Sequence, residues 1–263
     1  MGFTSWNAFG FEGLTQEKME YTAKRMEETG LLEYGYNYVN IDSGWQGEYG
    51  GKYDAIMPNE KFPDMNMPEY KPGWYTGKVT TRGLHEFLYG YFEVRCKLPA
   101  AYGLWSAFWM MNGEVENVDG SGQDGTEVDI FESFYYKDRW WGNDCITTGI
   151  IYDGYGPEIQ NASIGKYFIK GNPYEEYNTY GVEWNKDEYI FYINGCETGR
   201  LSAGGVSQNP EYLLVSCEFA GENGVQSSDR HGTGEISKTP EENWPAEFIV
   251  DYVKCYQYKD KLK

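Results

Sequence analysis

The chain has 263 residues, with 41 acidic against 22 basic side chains and a formal net charge of −19 at pH 7. That surplus argues strongly against nucleic acid or an anionic membrane as a partner, and it disfavours densely sulfated or carboxylated polymers. The length allows one large β domain or two smaller units. Aromatic residues make up 18% of the chain, which suits β-strands and also sugar binding, because the flat C–H face of a pyranose stacks on an aromatic ring.

Cysteine and histidine chemistry have little support in this sequence. The five cysteines are widely spaced and form no Cys-x-x-Cys motif, so we expect isolated buried thiols rather than a disulfide framework or a zinc site. Neither histidine, His85 nor His231, lies near a Gly-x-Ser-x-Gly turn, which argues against a Ser–His–Asp hydrolase. No apolar run approaches the length of a membrane span, and no signal peptide opens the chain.

The first part of the chain is predicted to run from a loop into a helix. Thr15 is a suitable N-cap, and Gly30 is suited to end the helix. The apolar residues Met19, Ala23 and Met26 fall on one helical face. This face is therefore expected to be buried.

A short buried strand is predicted at residues 38–41. The proline-rich stretch at residues 59–72 then separates a first part of mixed helix and strand from a second part that is nearly all strand. We therefore divide the chain into an N-terminal segment, residues 1–72, and a domain, residues 73–263.

From residue 74 onward the pattern is nearly all strand. Residues 91–98 alternate between polar and apolar, which predicts a strand with one buried face and one solvent-exposed face. Residues 189–193 run into Asn194 and Gly195, a strong hairpin signal, and residues 248–258 form a last alternating strand. Many strands with turn signals about every ten residues predict a mostly β fold, a β-sandwich or jelly roll.

The sequence Glu-Val-Asp-Ile-Phe-Glu at residues 127–132 carries the strongest functional signal. Its acidic and apolar residues alternate as in a β-strand, so Glu127 and Asp129 share one face. Glu132 falls on the opposite face unless a β-bulge at residues 130–131 inserts one extra residue and turns all three carboxylates the same way. Two carboxyl groups about 5–5.5 Å apart are the geometry of a retaining glycosidase, one acting as nucleophile and the other as acid and then base. Asp129 between them would hold a proton or hydrogen bond that keeps their pKa values apart.

An acidic, solvated edge strand is the alternative, since runs of charge usually have that explanation. The aromatic residues on either side favour catalysis, because a merely solvated strand does not need so much aromatic surface nearby. These residues are Trp105, Trp109, Phe131, Phe134, Trp140 and Trp141.

Residues 74–258 resemble glycoside hydrolase family 16, the laminarinase, lichenase and agarase group. The matching segments are residues 89–95, 103–109, 125–132, 180–184 and 248–253. The resemblance implies a concanavalin A-like jelly roll whose concave cleft cuts polysaccharides internally with retention of configuration. Carried over by position, Glu127 looks like the nucleophile, Asp129 like the assisting carboxylate and Glu132 like the acid/base. The bulged spacing resembles that of the laminarinase-like branch.

The first 65 residues resemble a different family, the glycoside hydrolase family 27 α-galactosidases, which are (β/α)₈ barrels. Ser43 stands where that family has an aspartate, and no barrel follows, so this segment lacks the strands that close a barrel. Asp42 and Trp45 are therefore predicted to be vestigial. The matching segments are residues 5–10, 38–42 and 44–46.

The resemblance also implies that the strands which normally begin a family 16 domain are missing here. We expect the N-terminal segment to form a short α/β unit packed on the sandwich, covering the exposed sheet edge. Pairing of that edge with a second chain, giving a dimer, is the alternative. Asp251 matches a position that helps to bind calcium in many family members, but the other ligands come from the part that is replaced. We expect no cofactor, and a structural calcium is the open alternative.

Five further residues are candidates for substrate binding. Trp105 and Trp109 lie four apart on the strand before the catalytic one, so they share a face, and in the resembled family that strand lines the cleft. Trp140 is followed by a second tryptophan, so at most one of the two rings faces substrate. Arg82 reaches a sugar hydroxyl or forms a surface salt bridge, and Glu218 either faces the cleft or is buried with a partner.

The residues and the resemblance together predict a retaining endo-glycoside hydrolase. Its expected partner is a neutral β-linked polysaccharide, a β-1,3- or mixed β-1,3/1,4-glucan, and neither nucleic acid nor a membrane. An endo-hydrolase of β-galactan, and a jelly roll that binds carbohydrate without cleaving it, are the alternatives. A polymeric substrate implies a secreted or extracellular location.

Overall fold

The computed structural model of the protein describes residues 2–4, 8–9, 12–34, 38–41, 45–50, 55–63, 74–135, 145–219, 221–222, 225–226 and 234–258. The chain divides into two compact units, Met1–Gly73 and Trp74–Lys263. None of the helices in these residues is long and apolar enough to cross a membrane.

The first unit combines one helix with two small sheets. Strand β1 (Gly2–Thr4) pairs in parallel with β2 (Tyr38–Asn40), and helix α1 (Gln16–Glu28) lies between them in the chain. Strand β3 (Gln46–Gly50) pairs antiparallel with β4 (Ala55–Pro58). The predicted order of helix and then strand is therefore confirmed.

Helix α1 begins where the sequence predicts. The Thr15 side chain accepts a hydrogen bond from the backbone N–H three residues further on, at 3.4 Å, and Gly30 follows the helix with φ of 75°. Met19 and Met26 are buried, as predicted, whereas Ala23 is exposed. Seven residues span two turns, so the two methionines lie almost in line, while Ala23 is displaced around the helix and has little apolar area to bury.

A small apolar core holds the first unit together. Trp45, which the sequence suggested was vestigial, packs against this core and so has a structural role. Asp42 lies outside the described residues. The core residues are Leu14, Met19 and Phe62, with Phe9, Val39, Ile41 and Trp45 packed around them.

The second unit is a sandwich of two antiparallel sheets, which confirms the predicted β-sandwich. One sheet contains β5 (Lys78–Thr80), β7 (Trp105–Met111), β8 (Glu127–Phe134), β9 (Cys145–Tyr152), β10 (Gln160–Phe168) and β14 (Tyr212–Glu218) in the order β10-β9-β8-β7-β14-β5. The other contains β6 (Gly90–Lys97), β11 (Asn178–Trp184), β12 (Tyr189–Ile193), β13 (Cys196–Leu201) and β17 (Ile249–Tyr256) in the order β13-β12-β11-β6-β17. The short strands β15 (Gly221–Glu222) and β16 (Val225–Gln226) pair with each other.

Alternating residues of the two sheets meet in one core. On β6, the predicted alternation is confirmed, since Phe92, Val94 and Cys96 are fully buried and the residues between them are partly exposed. On the facing sheet, the ring of Phe131 lies 4.2 Å from the ring of Tyr180, centroid to centroid. Strand β8 therefore has one face fixed in the core, and its other face is free to build a site.

The hairpin predicted at Asn194 and Gly195 is confirmed. These two residues connect β12 to β13 with φ of 50° and 74°, as a tight type I′ turn requires. The cysteines are only partly as expected. Cys96 and Cys145 are buried, but Cys196 and Cys255 are exposed, because both lie on partly exposed strands of the sheet that contains β6.

Strands β5 and β17 end their respective sheets in the second unit. Covering of this side of the sandwich by the first unit stays a prediction. Asp251, the candidate calcium ligand on β17, forms an ion pair with Arg95 at 2.6 Å. Among the described residues there is no group of three or more His, Cys, Asp or Glu side chains that could hold a metal ion, and the arginine beside the Asp251 carboxylate opposes a cation there.

Candidate active site

Strand β8 contains the β-bulge that the sequence predicted. Its pairing with β7 places Phe131 opposite Phe108 and Asp129 opposite Trp109, so Ile130 is the extra residue. The pairing with β9 shifts at the same point, between Asp129 and Glu132. Because one residue is inserted, side chains before and after the bulge point to the same face.

The bulge brings the three acidic residues together. Glu127, Asp129 and Glu132 all line one pocket of about 150 Å³ on the outer face of the sheet. Val128 and Ile130 are fully buried on the opposite face. The core side chains thus fix the position of β8, and β8 in turn directs the three carboxylates into the pocket.

The start of β8 is held by a close backbone approach that only glycine permits. A Cβ atom on Gly125 would lie 2.2 Å from Asn112 Oδ1 and 2.6 Å from the backbone nitrogen of Val115. The short 3₁₀ helix Gly113–Glu116 therefore packs directly against the chain as it enters the strand. This contact fixes the position of Glu127, two residues later.

Strands β7 and β14 build the wall of the pocket. Trp105, Ala107 and Trp109 line it from β7, and the small Ala107 lies directly opposite Glu132. The Trp105 ring stacks on Phe134, with ring centroids 5.0 Å apart and planes 23° apart. Both tryptophans thus reach the pocket that they were predicted to line.

Two residues of β14 complete this wall. Trp109 Nε1 donates a hydrogen bond to Ser216 Oγ at 3.0 Å, which fixes the indole in place. Glu218 also lines the pocket and lies opposite Trp105 in the strand pairing. Ser216 was not foreseen from the sequence, although its alternation with Glu218 on β14 was a usable signal.

One further candidate, Arg82, is not among the residues that line the pocket. Arg82 is exposed, and its guanidinium lies over the ring of Tyr212 at 5.3 Å, so it packs on an aromatic residue instead. Trp140 lies outside the described residues.

The carboxylates of the pocket titrate abnormally. The pKa of Asp129 is raised well above its ordinary value, first by burial and then by the charges of Glu132 and Glu127. The shift favours the protonated form of Asp129, which can donate a hydrogen bond to a carboxylate. Burial also raises the pKa of Glu127, as do Glu218 and Glu116.

A tyrosine that the sequence pattern did not reveal contacts the first carboxylate. The hydroxyl of Tyr155 donates a hydrogen bond to Glu127 Oε2, and this bond lowers the pKa of Glu127 against the effect of burial. Tyr155 follows β9 in an Asp-Gly turn, which is readable in the sequence as a turn but not as a contact to β8.

A further buried carboxylate, Glu211, comes directly before β14 and is close enough to Glu127 for their charges to interact. It is fully buried, and neither of its oxygens meets a hydrogen-bond partner of normal geometry. Burial raises its pKa from 4.5 to about 8, while the nearby Ser207 side chain and Thr126 backbone N–H act in the opposite direction. Glu211 is therefore neutral over most of the physiological pH range.

Replacing Glu211 by Gln is expected to flatten the pH dependence of stability. Between pH 4.5 and about 8 the folded chain binds more protons at this position than the unfolded chain, so the free energy of unfolding falls as pH rises through that window. Glu211→Gln removes this loss, and at pH 8 it should be more stable than the parent protein by about 2–4 kcal/mol, with little difference near pH 4. Urea unfolding at both pH values, with the exposed Glu241→Gln as control, measures this. Equal stabilities of Glu211→Gln and the parent at pH 8 would contradict it.

The fold and the pocket define the class of this protein as a jelly-roll glycoside hydrolase. A two-sheet sandwich places three carboxylates on a bulged strand, between tryptophans, on the open face of one sheet. The model of the glycosyl hydrolases family 16 matches residues 49–237, and the chain belongs to this family. The match begins earlier than the motifs indicated and extends to β3 and β4 of the first unit.

Two relatives place the chain in context. It is 26% identical over 181 residues to the endo-1,3-1,4-beta-glycanase ExsH of Rhizobium meliloti, covering 69% of this chain and 33% of that protein. The crystal structure of a laminarinase from Flavobacterium sp. UMI-01 matches with a TM-score of 0.50 and 24% identity, covering 68% of this chain and 72% of that one. The chain spans about a third of the length of the first curated relatives that it matches.

The likeness to α-galactosidases is partial. The chain is 42% identical over 67 residues to a probable alpha-galactosidase B of Talaromyces emersonii, covering 24% of this chain and 15% of that protein. Such a fragment does not supply a barrel, in agreement with the small core of the first unit.

Proposed function

We propose that this chain is the catalytic domain of a retaining endo-hydrolase of neutral β-1,3- or mixed β-1,3/1,4-glucan. The observation that carries the proposal is the bulge in β8, which turns Glu127 and Glu132 into one pocket together with Asp129, whose pKa is raised by burial. Two carboxyl groups that flank a glycosidic bond, in different electrostatic surroundings, suit the double displacement of a retaining glycosidase.

In the proposed mechanism, Glu132 donates a proton to the departing glycosidic oxygen while Glu127 attacks the anomeric carbon. The glycosidic bond breaks with its electron pair on the departing oxygen, and a covalent glycosyl–Glu127 ester forms. Glu132, now ionised, then removes a proton from water, which displaces Glu127 and releases the sugar. Asp129 acts as a neutral hydrogen-bond donor between the two, so it adds no third negative charge at the reacting centre.

The character of the pocket supports a neutral polymer. Four carboxyl groups line it, those of Glu127, Asp129, Glu132 and Glu218, and no cationic side chain in the described part of the chain lines it to pair with a sulfate or carboxylate. Trp105 on the same wall offers an aromatic ring on which the C–H face of a glucose unit can stack. Since a polysaccharide does not cross a cell membrane, we place the enzyme outside the cell.

Product analysis on a panel of polysaccharides tests this proposal. Purified protein is expected to release oligosaccharides from barley β-glucan, lichenan or laminarin, with viscosity falling before reducing ends accumulate, as internal cleavage requires. Proton NMR during the first minutes should show the β-anomer as the initial product, since the configuration is retained. Xyloglucan, agarose and β-galactan complete the panel.

Three outcomes would contradict the proposal. Cleavage of agarose or β-galactan alone would assign the enzyme to galactans. Initial formation of the α-anomer would show inversion. Binding to β-glucan without any released product, from protein shown to be folded by circular dichroism, would make the chain a carbohydrate-binding jelly roll.

A further inference from the structure

The loop after β9 has an unusual backbone at the edge of the pocket. Asp153 and Gly154 have φ of 59° and 73°, so two successive residues adopt the left-handed conformation. A residue other than glycine rarely occupies this region, and doing so costs on the order of a factor of ten in the conformational equilibrium. Together, the left-handed conformations of Asp153 and Gly154 reverse the direction of the chain, so that Tyr155 turns back toward β8.

Three hydrogen bonds hold this reversal in place. The buried Asp153 accepts from the backbone N–H groups of Asp119 and Gly120 through Oδ1, at 3.0 and 2.9 Å. The N–H of Gly154 donates to the carbonyl of Val115 at 2.7 Å. The base of the loop is thus fixed to the same segment that packs against the entry of β8.

The hydrogen-bonded loop places the hydroxyl of Tyr155 against one carboxylate oxygen of Glu127. The Tyr155 side chain is 46% exposed, yet its hydroxyl points inward and donates to Glu127 Oε2. A surface tyrosine held only for solubility would need neither the reversed loop nor an inward hydroxyl. Since Oε2 is engaged, Oε1 is the oxygen of Glu127 that is left to react.

The surroundings of Glu127 explain why such a donor is needed. Five other acidic side chains surround it, of which Glu218 and Glu116 raise its pKa through their charge, and no lysine, arginine or histidine lines the pocket in the described part of the chain. Ionisation of Glu127 is therefore opposed by burial and by like charges. The five acids are Glu116 on the 3₁₀ helix, Asp129 and Glu132 on β8, Glu211 before β14 and Glu218 on β14.

Tyr155 is suited to this task because it stays protonated. Burial and the charge of Glu127 raise the pKa of the phenol far above its ordinary value, so it remains a donor throughout the working pH range. A hydrogen bond to the charged form of a carboxylate stabilises that form.

We propose that Tyr155 is a positioning residue, whose hydroxyl keeps Glu127 ionised and oriented with Oε1 toward the anomeric carbon. This inference rests on the proposed function. During the reaction Tyr155 keeps its own proton, while an electron pair of Oε1 forms the bond to carbon and the proton for the departing oxygen comes from Glu132. When water later displaces the sugar, that pair returns to Oε1.

Tyr155→Phe removes the hydroxyl and keeps the ring. Turnover (kcat) on β-glucan is expected to fall roughly 10- to 100-fold, with KM changed by less than about threefold, because the lost bond acts on a charged reacting group. The acidic limb of the kcat/KM profile should move to higher pH, since Glu127 must be ionised to react and is now harder to ionise. A merely structural role would not move this limb.

Two further variants complete the test. Tyr167→Phe, on the partly exposed strand β10, removes a hydroxyl elsewhere on the same sheet and should leave both turnover and the pH limb unchanged. Tyr155→Ala should shift the acidic limb as Tyr155→Phe does, since both lack the hydroxyl. Thermal unfolding of each variant separates a loss of fold from a loss of turnover.

The outcomes separate this inference from the function on which it rests. If the parent enzyme cleaves β-glucan while Tyr155→Phe keeps its full turnover and an unchanged acidic limb, the inference alone is overturned. The same holds if only Tyr155→Ala loses activity, because the ring and not the hydroxyl would then matter. If the parent protein releases no product from any polysaccharide, the proposed function fails, and the role of Tyr155 falls with it.

Discussion

Glu127→Gln is expected to lower the turnover of β-glucan by at least about three orders of magnitude, because the amide cannot form the glycosyl–enzyme ester. The fold should tolerate the change. Glu127 is partly buried among other acids, so its charge costs stability in the folded state, and the amide has a similar shape without that charge. Its free energy of unfolding at pH 7 should therefore equal or exceed that of the parent protein.

Asp129→Asn is the matched comparison on the same strand. Asn keeps a hydrogen-bond donor where the protonated Asp129 has one, so turnover should fall less than in Glu127→Gln. Initial rates of reducing-end release, measured with urea unfolding of each variant, check both expectations. Turnover of Glu127→Gln above about a hundredth of the parent value would show that Glu127 is not the nucleophile.

The central part of the site could be predicted because it follows from local periodicity. A strand has a period of two, so the spacing of Glu127, Asp129 and Glu132 is by itself enough to indicate an inserted residue. The same rule places Trp105 and Trp109 on one face, and both line the pocket. Alternation fixes which face of a sheet each residue occupies, and on a single strand this is enough to identify the side chains that share a site.

Contacts between distant parts of the chain could not be predicted in this way. Tyr155 reaches Glu127 only because Asp153 and Gly154 reverse the backbone, and that reversal depends on hydrogen bonds to residues more than 30 positions earlier. The burial of Glu211 depends on packing between the sheets, which no local pattern encodes. The contact of Arg82 with Tyr212 is likewise one that no local pattern indicated, and its role in sugar binding stays a prediction.

Glu132→Ala is expected to lose activity on the polysaccharide by a factor of about 10² to 10⁴, the usual contribution of general acid–base catalysis. The loss should depend on the leaving group. An aryl β-glucan oligosaccharide with an acidic phenol needs no proton to depart, so it should still form the ester with Glu127. The second step then stalls, because no base remains to activate water.

Azide offers the decisive measurement, since it is a nucleophile that needs no base. In Glu132→Ala, azide should restore turnover of the aryl substrate and give the β-glycosyl azide, because it attacks the ester from the face that water would use. In Glu127→Ala, azide can only attack the β-linked substrate directly, from the opposite face, and should give the α-azide. Proton NMR of the two products therefore assigns both carboxylates in one experiment. An α-azide from Glu132→Ala would reverse the two roles, and the absence of rescue in either variant would remove these residues from the reaction. Both roles depend on the bulge, since without Ile130 as the extra residue Glu132 would lie in the core and the pocket would lack its acid/base.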